Sequence, residues 1–69
     1  MVEVFKTNVQ ENFNAEYLLH HLRQKFPECR INFDLDDCDR ILRLEGPSVC
    51  SVTVAELLGI HGFTCAILD

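Results

Sequence analysis

Two stretches in the middle of the chain alternate between apolar and polar residues. Ile31, Phe33 and Leu35 alternate with Asn32 and Asp34. Beyond an acidic interruption, Leu42 and Leu44 alternate with Arg43 and Glu45. A period of two sends successive side chains to opposite faces of a strand. The segment Cys29 to Gly46 therefore reads as a β-hairpin, with Asp36 to Asp39 as its turn. Ile31, Phe33, Leu35, Leu42 and Leu44 form its buried face, and Gly46-Pro47-Ser48 ends it.

On either side of the hairpin the period lengthens. Ala15, Leu18, Leu19, Leu22 and Phe26 make one apolar stripe at helical spacing. Asn14 is the expected N-cap, Phe13 and Leu18 have the spacing of a hydrophobic staple, and Pro27 ends the helix at Phe26. A second helix is expected from Thr53. Thr53 and Glu56 make a capping box, Val52 and Leu57 a staple, and Val54, Leu57, Leu58 and His61 share one side. Gly62 is placed to end it with positive φ, and Gly59 weakens it. Val2 to Val9 reads as a first strand, with Val2 and Val4 on one face and Glu3 and Phe5 on the other. Thr7 to Asn12 is a polar loop. Phe63 to Leu68 alternates as a last strand.

The order β-α-β-β-α-β predicts an α+β ferredoxin-like sandwich over residues 1–69, a single domain. Its sheet is antiparallel with strand order 4-1-3-2, and both helices lie on one face. In this topology Phe5, Ile41 and Leu68 are expected on the face away from the helices. Glu3, Thr7, Asn32, Asp34, Arg43 and Glu45 surround them. An apolar patch with a charged rim is the composition of a weak protein interface or of self-association.

Composition narrows the classes of function. The chain has 69 residues and is 48% hydrophobic, which suits a small folded domain. No apolar run approaches the length of a membrane span. The start, MVEVFKTNV, lacks the basic, apolar and cleavage regions of a signal peptide, so a cytoplasmic location is expected. Net charge is −5, and the six basic residues are scattered among eleven acidic ones. Nucleic acid and anionic membranes both demand a basic face, so neither is an expected partner.

The four cysteines, Cys29, Cys38, Cys50 and Cys65, are expected as free thiols in a reducing compartment. No pair has C-x-x-C spacing, which removes the commonest zinc and redox patterns. Cys29 and Cys50 should lie at the end of the sheet opposite Cys38. Cys65 alternates with core positions and reads as a small buried apolar residue.

The segments INFDLDDCDRILRLEG and VAELLGIHGFTCAIL carry a resemblance. They are similar to the central hairpin and to the second helix, Gly-aromatic junction and last strand of heavy-metal-associated domains. These are the small ferredoxin-like domains of copper chaperones and metal-transporting ATPases. The resemblance covers nearly the whole length and implies the same fold. It also implies where a metal motif, M-x-C-x-x-C, would stand: between the first strand and the first helix. There the chain reads TNVQENFN, from Thr7 to Asn14, without cysteine, methionine or histidine. The resemblance carries no metal ligand onto this chain.

Other residues are weighed on their own chemistry. Cys38 in the hairpin turn and His61 at the helix end are expected at the same end of the sandwich. A displaced Cu(I) or Zn(II) site would use them, since thiolate and imidazole are ligands for such ions. Packing of His61 at a helix terminus is the simpler reading. His20 and His21 diverge by about 100° on one helix and suit solvent or an interface better than one ion. The acids Asp34, Asp36, Asp37 and Asp39, with Glu45, lack the glycine and flanking helices of a calcium loop, and read as a solvated turn. No nucleophile–base set or phosphate loop is present. The expected function is a non-catalytic interaction module with no cofactor. The alternative is metal binding or trafficking through the displaced Cys38–His61 site.

Overall fold

The structure, a computed structural model, describes residues 1–68. Strand β1 (Val2–Thr7) leads to helix α1 (Asn12–Lys25). The hairpin of β2 (Arg30–Asp34) and β3 (Ile41–Glu45) follows, then helix α2 (Ser51–Ile60) and strand β4 (Cys65–Ile67). The strands form one antiparallel sheet in the order β2-β3-β1-β4, which is the expected 4-1-3-2 counted from the other edge. Helix α1 packs along β2, α2 along β4, and the two helices touch. The fold is α+β, in the ferredoxin-like arrangement.

The apolar stripe of α1 behaves as its spacing predicts. Ala15, Leu18, Leu19 and Leu22 are buried against Ile31, Leu42 and Leu44 of the hairpin and Val54 and Leu58 of α2. Each fully buried leucine contributes about 2 kcal/mol, which a sheet of this size needs. Pro27 and Gly62 do what their chemistry allows. Helix α1 stops at Lys25, and Gly62 takes φ +87 after α2. Gly46 has a different reason. A Cβ there would stand 2.6 Å from the Cys29 sulfur, so the hairpin strands close only over a glycine.

The structure corrects one placement that matters for function. Phe5 is 1% exposed and belongs to the core. It pairs directly with Leu42, and directly opposed residues of an antiparallel pair share a face. Leu42 faces the helices, so Phe5 does too, together with Glu3 and Thr7. Val2, Val4 and Lys6 take the open face instead. The alternation in VEVFKT was right and its facing was reversed, because burying one phenylalanine removes more apolar area from water than half-burying two valines.

Both helices begin earlier than their capping signals suggest. The N-cap of α1 is Glu11, whose carbonyl accepts from the Ala15 amide at 3.1 Å. Asn14 lies in the first turn, and Phe13 is 72% exposed, so neither the cap nor the staple forms. The N-cap of α2 is Cys50, with its carbonyl accepting from the Val54 amide at 3.1 Å. Val52 is exposed, and no staple forms there either. The first and last strands of the chain are shorter than expected: β1 ends at Thr7 and β4 spans Cys65–Ile67.

Candidate functional site

The loop after β1, where the resemblance would put metal ligands, is a structural clip. The Thr7 hydroxyl donates to the Arg40 carbonyl at 2.7 Å and accepts from the Val9 amide at 3.2 Å. The Thr7 amide donates to the Asp39 carbonyl at 3.0 Å. Asn8 accepts from the Thr64 amide at 2.8 Å, and Val9 is fully buried. The loop therefore joins the hairpin turn to the entry of β4. Val9 shares the odd-numbered parity of Phe5, a signal that the alternation carries beyond the strand.

Cys38 is exposed at the tip of the hairpin. Its thiol and the carboxylates of Asp37 and Asp39 offer ligand atoms all within 4.8 Å of one another. Local turn chemistry accounts for part of this grouping. Asp37 Oδ1 accepts from the Asp39 amide at 2.9 Å, and Asp34 Oδ1 accepts from the Asp36 amide at 3.3 Å. Arg40 completes the turn with φ 48, and its guanidinium donates to the Leu35 carbonyl at 2.7 Å.

His61 is not part of that group. Its ring lies 4.8 Å from the His21 ring and 5.1 Å from Tyr17, centroid to centroid, joining the end of α2 to α1. His20 stands 5.4 Å from His21 and shares a 3.4 Å contact with Gln24. The structure thus separates the roles of the two residues offered as a displaced metal pair: His61 packs between helices, and Cys38 keeps company with carboxylates.

The open face of the sheet has two halves. The register places Val2, Val4, Lys6 and Ala66 on β1 and β4, Lys6 opposite Ala66, with Leu68 joined to Val4 through a 2.9 Å backbone hydrogen bond. The β2–β3 half carries Arg30, Asn32, Asp34, Arg43 and Glu45, with Ile41 among them. Arg43 and Glu45 form a partly exposed 3.4 Å ion pair. Of the residues expected on this face, Ile41 and Leu68 are there and Phe5 is not.

Two grooves flank the sheet edges. One, of about 450 Å³, runs between α1 and the edge strand β2. Ala15, Glu16 and Leu19 line one wall, and Asn32 to Asp36 line the other. The second, of about 210 Å³, lies between α2 and β4 and is lined by Phe5, Ser51, Val52, Ala55, Cys65 and Ile67. The first carries the carboxylates of Glu16, Asp34 and Asp36, and among the described residues the second carries no charged side chain.

The thiols differ with their surroundings. Hydrogen bonds from the Thr53 hydroxyl and amide at the start of α2 hold the exposed Cys50 thiol below its ordinary range. Burial pushes the Cys65 thiol up to about 11. Thr53, read in sequence as the cap of α2, acts here on the capping cysteine.

No protein-family model, curated protein or solved structure matches this chain.

Proposed function

We propose that the chain is a small, non-catalytic interaction module, akin to heavy-metal-associated domains in fold and without their metal motif, working in the cytoplasm. The observation that supports this reading is the uncovered face of the sheet. Val2, Val4, Ala66 and Leu68 form a largely apolar half, with Lys6 across from Ala66 at one end of it, beside an ionic half that carries both signs. Among the described residues, no helix is long and apolar enough to cross a membrane.

A second copy of the chain is the partner that fits this face. A two-fold contact lays apolar half on apolar half and sets Arg30 and Arg43 of one copy near Asp34 and Glu45 of the other. Four strands of this length cover roughly 300 Å², well below the ~800 Å² per partner of a stable complex, so the contact is weak. Sedimentation should show a concentration-dependent dimer that Val4→Lys with Leu68→Lys removes while the fold persists. A wild-type chain that stays monomeric at millimolar concentration sinks this reading.

A second reading, metal binding at a displaced site, is favoured by the grouping of Cys38 with Asp37 and Asp39. Titration with Cu(I) under reducing conditions and with Zn(II) tests it. Competition against a chelator that is lost in Cys38→Ser supports it, and binding indifferent to Cys38→Ser removes it. His61→Gln should leave any such binding unchanged.

A further inference from the structure

We infer that the groove between α1 and β2 binds an extended, basic polypeptide segment, which adds to the sheet as a fifth strand beside β2. The inference rests on reading the chain as an interaction module, and not on the open-face contact.

The first observation is an open edge. Strand β2 pairs only with β3, and no other backbone hydrogen bond among the described residues involves residues 31–34. Half of its amides and carbonyls point sideways from the sheet without a protein partner. Five residues give a template about 17 Å long, enough to pair with a short extended segment.

The second is the shape beside that edge. Helix α1 runs along β2 and supplies the far wall of the groove. An incoming strand would therefore meet a row of backbone partners on one side and a helix on the other. Main-chain bonds give such a complex its affinity, and alternate side chains give it specificity. Residues of the segment that point towards α1 would meet Leu19, Phe33 and Leu35. Phe33 and Leu35 are only half-buried, so apolar side chains there would take more of their surface from water.

The third is charge. Glu16 on the helix and Asp34 and Asp36 on the strand side are all exposed, and among the described residues no lysine, arginine or histidine lines the groove, the nearest cations being Arg30 at the start of β2 and Arg40, whose guanidinium is held on the Leu35 carbonyl. A net charge of −5 adds a long-range pull on cations. Lysine or arginine at alternate positions of the segment would answer these carboxylates. A second copy of this chain is a poor occupant, because it would bring the same Glu16 and Asp36 towards their equals.

The probe is an alternating lysine–valine peptide of twelve residues, with fluorescence anisotropy as the readout at low and high salt. The wild-type protein should bind it, and more weakly as salt rises. Three peptides of changed chemistry should fail: glutamate in place of lysine, proline in place of valine to remove strand-pairing amides, and polylysine lacking apolar positions. Glu16→Lys with Asp36→Lys should weaken binding roughly tenfold or more at low salt. Both residues are exposed, so the fold should survive, as circular dichroism would show. Val4→Lys with Leu68→Lys should leave peptide affinity unchanged, which separates this site from the dimer contact.

Four results overturn the inference. One is equal affinity of wild type and the Glu16/Asp36 variant. Another is equal binding of the proline or polylysine peptide. The third is no binding at millimolar concentration by a wild-type protein that circular dichroism shows to be folded, whether or not it dimerises. A dimer that is itself abolished by the Glu16 and Asp36 substitutions would assign the groove to a second copy and overturn the inference too.

Discussion

At each edge of the sheet a helix lies along the outermost strand, α1 beside β2 and α2 beside β4. The β2 edge is five residues long, with a groove of about 450 Å³ and three carboxylates beside it. The β4 edge is three residues long, with a groove of about 210 Å³ floored by the core residue Phe5 and, among the described residues, no charged side chain. One architectural plan has thus given two chemistries. A short apolar edge clipped to its neighbour through Asn8 and Val4 serves stability. A longer edge bordered by acids keeps both its backbone and its charge available to a partner.

The sharpest way to break this contrast is to cut into each edge in turn. Phe5→Ala should remove about 3–5 kcal/mol of stability, since the ring is fully buried and its loss leaves a cavity. A domain this small would be largely unfolded in a thermal melt. Glu16→Lys at the other edge should shift stability by no more than about 0.5 kcal/mol. If Phe5→Ala melts as the wild type does, Phe5 is not the floor of the β4 side.

Asn8→Ala is the next largest effect. It removes the acceptor for the Thr64 amide and should cost about 1 kcal/mol. Hydrogen exchange should speed up at Thr64 and in β4, while β2 keeps its wild-type rates. Faster exchange along β2 instead would show that the two edges are not separately held.

Gly59→Ala should act in the opposite direction. A methyl group at this position of α2 meets open space, and alanine is favoured over glycine in a helix by just under ~1 kcal/mol. A higher melting temperature is the expected result, and a lower one would mean that α2 is not a regular helix there.

The last effect concerns pH. Burial raises the Cys65 thiol from 9.0 to about 11, so the folded state holds a proton that the unfolded chain releases. The stabilising contribution is complete below about pH 9 and fades as pH rises towards 11. Chemical denaturation across that window should show a falling midpoint that is flatter in Cys65→Ala. Equal slopes in the two proteins would place the Cys65 thiol in solvent.

The hairpin, the strand order, the α1 stripe and the Gly62 stop were all legible in the sequence, because each rests on a local period or a residue with one conformational use. The face taken by Phe5 was not. VEVFKT has apolar residues on both parities, and only the pairing of Phe5 with Leu42 decides between them. The helix starts were misjudged for a related reason. Asn14 and Thr53 are good caps in isolation, yet Glu11 and Cys50 come first and the chain is already helical when it reaches them.

The candidate sites were legible in smaller part. Ile41 and Leu68 were placed on the open face correctly, but Val2 and Val4 were missed with the reversal of β1. Cys38 stands in the hairpin turn and His61 at a helix end in sequence, and nothing local shows that Tyr17 and His21 receive the His61 ring. The acidic groove joins Glu16 to Asp34 and Asp36 across two elements. The sequence shows the aspartates in and beside a turn, and only the packing of α1 on β2 makes them one wall of a groove.

Amide chemical-shift mapping of the isotopically labelled protein with the alternating lysine–valine peptide tests the contrast between the edges most directly. The expected perturbations fall on residues 31–36 and on the α1 residues from Asn12 to Leu19, with protection from exchange newly acquired along β2. Perturbations centred on residues 51–55 and 65–68, or on Val2 and Val4 of the open face, would contradict the assignment of recognition to the β2 edge.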